Sequence, residues 1–580
     1  MWQINKIESL MTEQDKAILK SIYEPTVVDI PIDNAGYDMC VMPDGEIRHY
    51  GLINCSKFDW VPGEDLKAEK CYKYSRDGGL SWKFSYAPKG CMGACTYIPE
   101  RDIYLKANYV ESEQAFCIIS SKIGPHDINP KYTKLTDEKF TVDTRLPIRI
   151  CDGKRIAITT HFHKKEVQYP AFIYSDDYGV SWKIVRLKPS QKWGLPPRCL
   201  SYSSDNRGVE PTIVELGNNT LMMLARTSTY YFYQYFSYDN GETWTDGELS
   251  NFHGYTTLPT FFNMKDGRKL LFWNNSQPLE EKRLEDYILP EWHNEADTKV
   301  FTNRDVNHCA YTYDGKTWHG FKEFFLNTIR NRADFRNYGD MNYYIDKSIH
   351  QFQVVELPFS KLLVVFGQNV SSRKMVIFDP DWLKEKDKFE DFSQGLEGVS
   401  TQLYVKSYSG CWCEKGHASW NRTNGALLVP SPRLDGDEVL QICRITDPRL
   451  YSDKQGVVWN YPLARKGRIE IEFYRLNSGI KVSLCDRWFN PCFDYVSEDA
   501  IFNFTLDEKV VKESEWHTAI IDFDLDKKQA VFSLDDAKIF DIPMQNEADH
   551  GLSYLHLQTA SEGFDDKGTL INSLKMTSKE

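Results

Sequence analysis

The sequence predicts an all-β chain, a six-bladed β-propeller followed by a β-sandwich. Three observations carry this. A strand–turn–strand unit recurs six times within residues 31–395. A short turn with Ser, Asp, Gly and Trp at fixed spacing follows four of those units. Residues 396–580 alternate like antiparallel strands and lack that turn.

The recurring units are 38–52, 93–108, 146–163, 210–227, 258–275 and 350–368. Each reads as two apolar strands around a tight turn, with Asp-Gly at the turn in the first, third and fifth. The turn that follows is Ser-x-Asp-x-Gly-x-x-Trp. It occurs as Ser75, Asp77, Gly79, Trp82; as Ser175, Asp177, Gly179, Trp182; and as Ser237, Asp239, Gly241, Trp244. A shortened copy keeps Thr312, Asp314 and Trp318. Asp can bond nearby backbone N–H groups, Gly permits the tight bend, and Trp folds back as an apolar plug. Trp82, Trp182 and Trp244 are therefore expected to be buried between sheets. Two hairpins per unit make four strands, the content of one propeller blade. The expected organisation is an N-terminal arm with a short helix (1–30), the propeller (31–395) and the sandwich (396–580).

Composition narrows the function. The 580 residues are 41% hydrophobic and 26% charged, as in folded globular chains. Acidic residues outnumber basic ones, 83 to 70, and no Lys/Arg-dense run occurs, which argues against nucleic acid. No apolar run approaches the ~18 residues of a membrane-spanning helix, so no membrane partner is expected. The start, MWQINKIESLMTEQDKAILK, has no apolar core of a secretory signal. The 14 Cys lack metal-ligand spacing, so free thiols, a cytoplasmic location and no metal or cofactor are expected. Oligomeric state stays open.

The repeated turn resembles the Asp box of the sialidase superfamily, over roughly residues 31–395. In that family the box is rim scaffold, so it implies fold without activity. The segment WHTA with the hairpin DFDLDKKQAVFSLDD, within 516–536, resembles a concanavalin-type jelly roll. In GVEPTIVELGNNTLMMLART, Glu210 starts one strand and Arg226 ends the next, similar to a sialidase segment. The resemblance implies that Glu210 activates a Tyr nucleophile and that Arg226 holds a substrate carboxylate. Hairpin geometry independently puts both at one mouth, where a blade-closing salt bridge is the alternative. The resemblance further implies Asp59 as general acid and Tyr343 or Tyr344 as nucleophile, with Arg304, Arg332 or Arg336 as a further carboxylate-binding Arg. The chain departs from the family at Tyr37-Asp38-Met39-Cys40, where Asp38 replaces the Arg of Tyr/Phe-Arg-Ile-Pro. Arg145-Leu146-Pro147 looks like that hallmark but opens the third unit.

The other hairpin ends collect Asp38, His49, Arg145, His161, His163, Asn274, Asn275, Asp346, His350 and Gln368 at the same mouth. Such a polar ring suits a carbohydrate-active site. The sequence reading is thus a sialidase-like glycoside hydrolase, exo-acting on a terminal sugar other than an ordinary α-sialoside. Its catalytic candidates are Glu210, Asp59, Tyr344, Asp346 and His161. Its carbohydrate-binding candidates are Arg226, Asp38, His163, Arg304, Arg336, His350 and Gln368. A lyase acting on a uronic-acid glycan, with a His as base, and a non-catalytic sugar-binding propeller are the alternatives.

Overall fold

Each of the six units grows into a four-stranded sheet in the computed structural model. The structure describes residues 2–32, 38–53, 69–138, 144–164, 167–194, 196–198, 206–254, 256–280, 304–326, 349–367, 373–405, 421–448 and 450–579. The inner strands of the blades are Met39–Val41, Thr96–Ile98, Ile148–Ile150, Arg207–Gly217, Thr260–Asn263 and Gln353–Glu356. The outer strand of the sixth sheet comes from the N-terminal segment: Thr26–Asp29 pairs antiparallel with Lys374–Phe378. Ladder hydrogen bonds thereby join the two ends of the propeller sequence, which removes a free sheet edge.

Alternating apolar side chains on facing sheets build the cores between blades. Leu105 and Phe116 of the second blade pack with Ile158 and Phe162 of the third. Phe172 and Tyr174 of the third pack with Met223 and Tyr235 of the fourth. Two helices, Trp2–Leu10 and Glu13–Ser21, precede the propeller, and a Thr12–Asp15 capping box starts the second. Their Ile7, Met11 and Leu19 join a core with Val41 and Ile47 of the first blade and Leu363 and Ile377 of the sixth. Gly45 has φ +98°, and a Cβ there would lie 2.3 Å from the Lys6 carbonyl, so the helix can approach this turn only across a glycine.

The rim turns share one hydrogen-bond pattern. Ser75 Oγ donates to Asp77 Oδ1 (2.7 Å), while the Gly79 N–H donates to Ser75 Oγ (2.8 Å) and the Ser81 N–H to Asp77 Oδ1 (3.0 Å). The turns at 175–182 and 237–244 repeat it. In the shortened copy, Thr312 Oγ1 donates to Asp314 Oδ1 at 3.0 Å and accepts from the Gly315 N–H at 3.0 Å. The tryptophans correct the sequence expectation: Trp82, Trp182 and Trp244 are half-buried, and Trp318 of the shortened copy is the buried one. The reason is local. The Trp82 and Trp244 Nε1–H groups donate to the Gly79 and Gly241 carbonyls of their own turns, which keeps each ring at the sheet margin.

Contacts group the chain into two compact units. The first comprises 1–274, 311–316 and 345–382; the second comprises 275–310, 317–344 and 383–580. In the second, an eight-stranded sheet includes Glu438–Arg444, Asp565–Ser578, Lys466–Arg475 and Trp516–Asp524. A five-stranded sheet includes Gly456–Ala464, Leu552–Thr559 and Ile480–Cys485. Inward-facing Ile469, Ile471 and Phe473 pack with Trp459, Val482 and Leu555 in one core, the pattern of a β-sandwich.

Candidate active site

The fourth blade carries an unusual backbone at a strand end. Val209 pairs with Arg226 and Thr212 with Leu224, so three steps on one strand face two on the other. The extra residue is a β-bulge, which re-aims a side chain. Glu210 lies in it at φ +50°, in the left-handed region that a residue with a Cβ rarely adopts. The adjoining Gly208, at φ +104°, and Pro211, which has no N–H to give the ladder, explain why pairing fails here.

The bulge aims the Glu210 carboxylate at Arg226, whose Nη1 donates to Oε2 at 2.8 Å. Both side chains are nearly withdrawn from solvent, 8% and 11% exposed, so the pair is a desolvated one. The third blade supplies its neighbour. The Glu210 N–H donates to His161 Nδ1 at 3.2 Å. Burial pushes the His161 pKa down to about 4, although the Glu210 carboxylate pulls it upward. The His163 ring lies 5.7 Å from that of His161, and burial lowers its pKa too. Gln168 Nε2 is 3.3 Å from His163 Nε2. Sequence reasoning therefore named four residues that the fold brings together.

A second cluster joins the first, second and sixth blades. Burial raises the Asp38 carboxyl pKa, opposed by the positive charges of Lys106, Lys70 and Arg373. Arg373 Nη2 is 3.3 Å from His49 Nε2, and since guanidinium only donates, His49 accepts through Nε2. Burial, then Arg373 and Lys73, hold the His49 pKa well below its usual value. Lys70 Nζ donates to the Cys91 carbonyl (3.2 Å) and Lys106 Nζ to the Met92 carbonyl (2.9 Å). Lys106, Lys70 and Arg373 thus act electrostatically on the carboxylate at the hallmark position. Sequence reasoning missed Arg373, Lys70 and Lys106. Arg373 directly precedes the strand Lys374–Phe378, so extending the strand-end rule from hairpins to third strands finds it.

Arg145, whose hallmark-like sequence opens the third unit and so takes no hallmark role, turns its guanidinium onto neighbouring backbone. Its guanidinium donates to the Pro211 carbonyl (3.0 Å), the Pro259 carbonyl (2.6 Å) and Thr260 Oγ1 (3.1 Å). With Met39, Thr159, Thr212, Phe261 and Gln353 it lines a cavity of about 170 Å³ among the inner strands. Gln353 Oε1 accepts from the Met39 N–H at 2.7 Å. His350 is buried, and its carbonyl accepts from the Gly367 N–H at 2.7 Å. Arg304 is fully buried and belongs to the second compact unit, as does its neighbour Asp305, which accepts from Tyr404 Oη and from Arg422 Nη2 (3.0 Å). Asp59, Arg332, Arg336, Tyr343, Tyr344, Asp346 and Gln368 lie outside the described residues. Among the described residues, no cluster of three or more His, Cys, Asp or Glu could hold a metal ion. Among them, too, no helix is long and apolar enough to cross a membrane.

Residues 145–324, which hold the turns at 175–182, 237–244 and 312–318, match the family described as a BNR repeat-like domain. No curated protein matches the chain. A Trypanosoma rangeli sialidase solved with 2,3-difluorosialic acid as a covalent intermediate aligns at 11% identity and a TM-score of 0.35, over 96% of this chain and 91% of its own. The same organism's sialidase in complex with sialic acid aligns at 10% identity and a TM-score of 0.34, over 96% and 95%. A Dyadobacter fermentans protein described as of unknown function aligns at 13% identity and a TM-score of 0.35, over 61% and 97%.

Proposed function

We propose that this chain, which carries a BNR repeat-like domain over 145–324, is a glycoside hydrolase acting on the terminal sugar of a glycan. The observation that carries the proposal is Glu210. It is a buried carboxylate on a strained bulge, ion-paired to Arg226. Strain of that kind persists where surrounding structure over-determines it, and it concentrates at functional sites. In this proposal Glu210 is the base that activates the attacking group, Tyr344 by the family resemblance, and Asp59 protonates the leaving oxygen. Arg226 orients Glu210 and meets the substrate's polar groups.

The lyase alternative needs a base strong enough to take a proton next to a carboxylate. His161 is poorly suited, because its Nδ1 lone pair receives the Glu210 N–H and burial weakens it as a base. Substrate preference follows from Asp38. A carboxylate at the hallmark position disfavours the direct contact that an ordinary α-sialoside would make there. The charges of Lys106, Lys70 and Arg373 acting on Asp38 would instead favour an acidic sugar whose carboxylate is placed differently, such as a uronic acid.

The test is a panel of fluorogenic glycosides and uronic-acid oligosaccharides, read for released reducing sugar and for the absorbance of an unsaturated uronate. Reducing-sugar release without that absorbance, abolished in Glu210→Gln, supports the hydrolase. The absorbance signal would establish the lyase. Neither signal across the panel favours the sugar-binding protein.

A further inference from the structure

We propose that His161 is a positioning residue. With Thr159 and Arg145 it forms a clamp from the third blade that holds the fourth-blade bulge in the one conformation presenting Glu210 to the site. This deepens the hydrolase proposal and rests on it for the word site; the clamp itself rests on geometry alone.

Three third-blade side chains grip two consecutive residues of the bulge. His161 Nδ1 accepts the Glu210 N–H at 3.2 Å. Thr159 Oγ1 donates to the Pro211 carbonyl at 2.7 Å, and Arg145 Nε donates to the same carbonyl at 3.0 Å. The bulge takes both peptide groups out of the register of their own sheet, so their hydrogen bonds must come from elsewhere. Thr159 and His161 alternate on one strand, Arg155–Lys164, and so face the same side. A left-handed Glu directly before a proline is unfavourable by its own backbone preferences. Contacts with a neighbouring blade are what can hold it there.

The bond also sets the chemistry of the imidazole. Because Nδ1 accepts, the neutral ring carries its proton on Nε2. Protonating Nδ1 would set an N–H against the Glu210 N–H, and two donors cannot share the contact. Among the described residues, the groups acting on the ring are the Glu210 carboxylate and the Arg226 guanidinium from the fourth blade, and His163 from its own strand. Burial and Arg226 oppose protonation while Glu210 favours it, so the clamp loosens only near pH 4.

The experiment compares His161→Gln, which keeps an acceptor, with His161→Leu, which removes it; His163→Gln is the control. In the full chain, deuterium uptake by the peptide spanning 206–217 should rise about tenfold in H161L, as loss of one hydrogen bond implies. It should stay near wild type in H161Q and H163Q. With the panel glycoside that the wild type hydrolyses, H161L should lose about 10²-fold in kcat at nearly constant KM, the effect of a misplaced catalytic group. H161Q should keep most of the rate and lose the inflection near pH 4. Should H161L fail to fold, Thr159→Val replaces it, with the same rise in uptake expected. Equal behaviour of H161Q and H161L in either measurement overturns the clamp, because the ring itself would then be what matters. Unchanged uptake in H161L or T159V overturns it as well. If no panel glycoside is hydrolysed, the hydrolase proposal fails while deuterium uptake still decides the clamp.

Discussion

The fourth blade contains two sharp bends built in opposite ways. In the rim turn at 237–244, Ser237, Asp239, Gly241, Thr243 and Trp244 bond to one another, all within one octapeptide. The bulge at the other end of the same sheet takes its partners from Arg145, Thr159, His161 and Arg226. The rim turn uses Asn240 and Gly241 for its positive φ values, residue types that tolerate them. The bulge puts a glutamate there. A turn whose shaping bonds lie within one octapeptide repeats along the chain as scaffold, and contacts from Arg155 of the third blade and Asn219 of its own sheet are added to it at Asn240 and Glu242. A bend whose backbone groups are held by side chains of another blade is one whose conformation has been imposed, and this is where a site is expected.

Four substitutions break or sharpen that contrast, from the largest expected effect to the smallest. Glu210→Gln should lower turnover by about 10²–10⁴-fold, the range for losing a general base. Its melting temperature should fall by only a few degrees, because the amide keeps the shape and still accepts from Arg226. A variant with near-normal kcat would make the Glu210–Arg226 pair a blade clasp.

His161 separates the bends by pH. Its folded pKa of about 4 lies below the usual 6.5, so the unfolded chain binds the extra proton between those values. This share of stability is full above pH 6.5 and is lost as pH falls toward 4, up to about 3 kcal/mol. His161→Gln should flatten the difference in stability between pH 6.5 and 4, measured by denaturant melts. A slope equal to that of wild type would mean that the ring is not buried in its neutral form.

Trp244→Ala tests the rim. The ring packs on Phe172 at 5.4 Å but is half-buried, so about 2–3 kcal/mol is expected, below the ~3–5 of a fully enclosed aromatic. The folded fraction should keep normal kcat. Lost turnover at an unchanged melting temperature would mean that this turn belongs to the site after all.

Asp177→Asn should have the smallest effect, about 1 kcal/mol given its exposure. Burial acts upward on the Asp177 carboxyl, but hydrogen bonds from Ser181, Ser175 and Val180 outweigh it and bring the pKa to about 2. Its contribution is complete above the usual 3.8 and is lost as pH falls toward 2, a window below that of His161. A change in stability above pH 5 in this variant would contradict that assignment.

The blade units and rim turns were legible because period-two alternation and octapeptide turns are local properties of the chain. The adjacency of Glu210 and Arg226 was legible too, since a hairpin brings the start of one strand beside the end of the next. Arg373 was harder to see because it precedes a third strand, outside any hairpin pattern. Arg145, whose Arg-Leu-Pro sequence resembles a substrate-binding hallmark but opens the wrong unit to take its role, has its guanidinium occupied by the Pro211 and Pro259 carbonyls.

By itself, then, the sequence determined which segments of the six units become strands and where the Asp-turns fall, since those depend on neighbours within about ten residues. Tertiary structure decided that Thr26–Asp29 completes the sixth sheet and that Glu210 turns left-handed. It also decided which nitrogen of His161 carries the proton. The physical reason is separation along the chain. His161 and Glu210 are 49 residues apart, and Thr26 meets Ile377 across nearly the whole propeller sequence. No local preference encodes such a pairing; it exists only once folding has brought the sheets together.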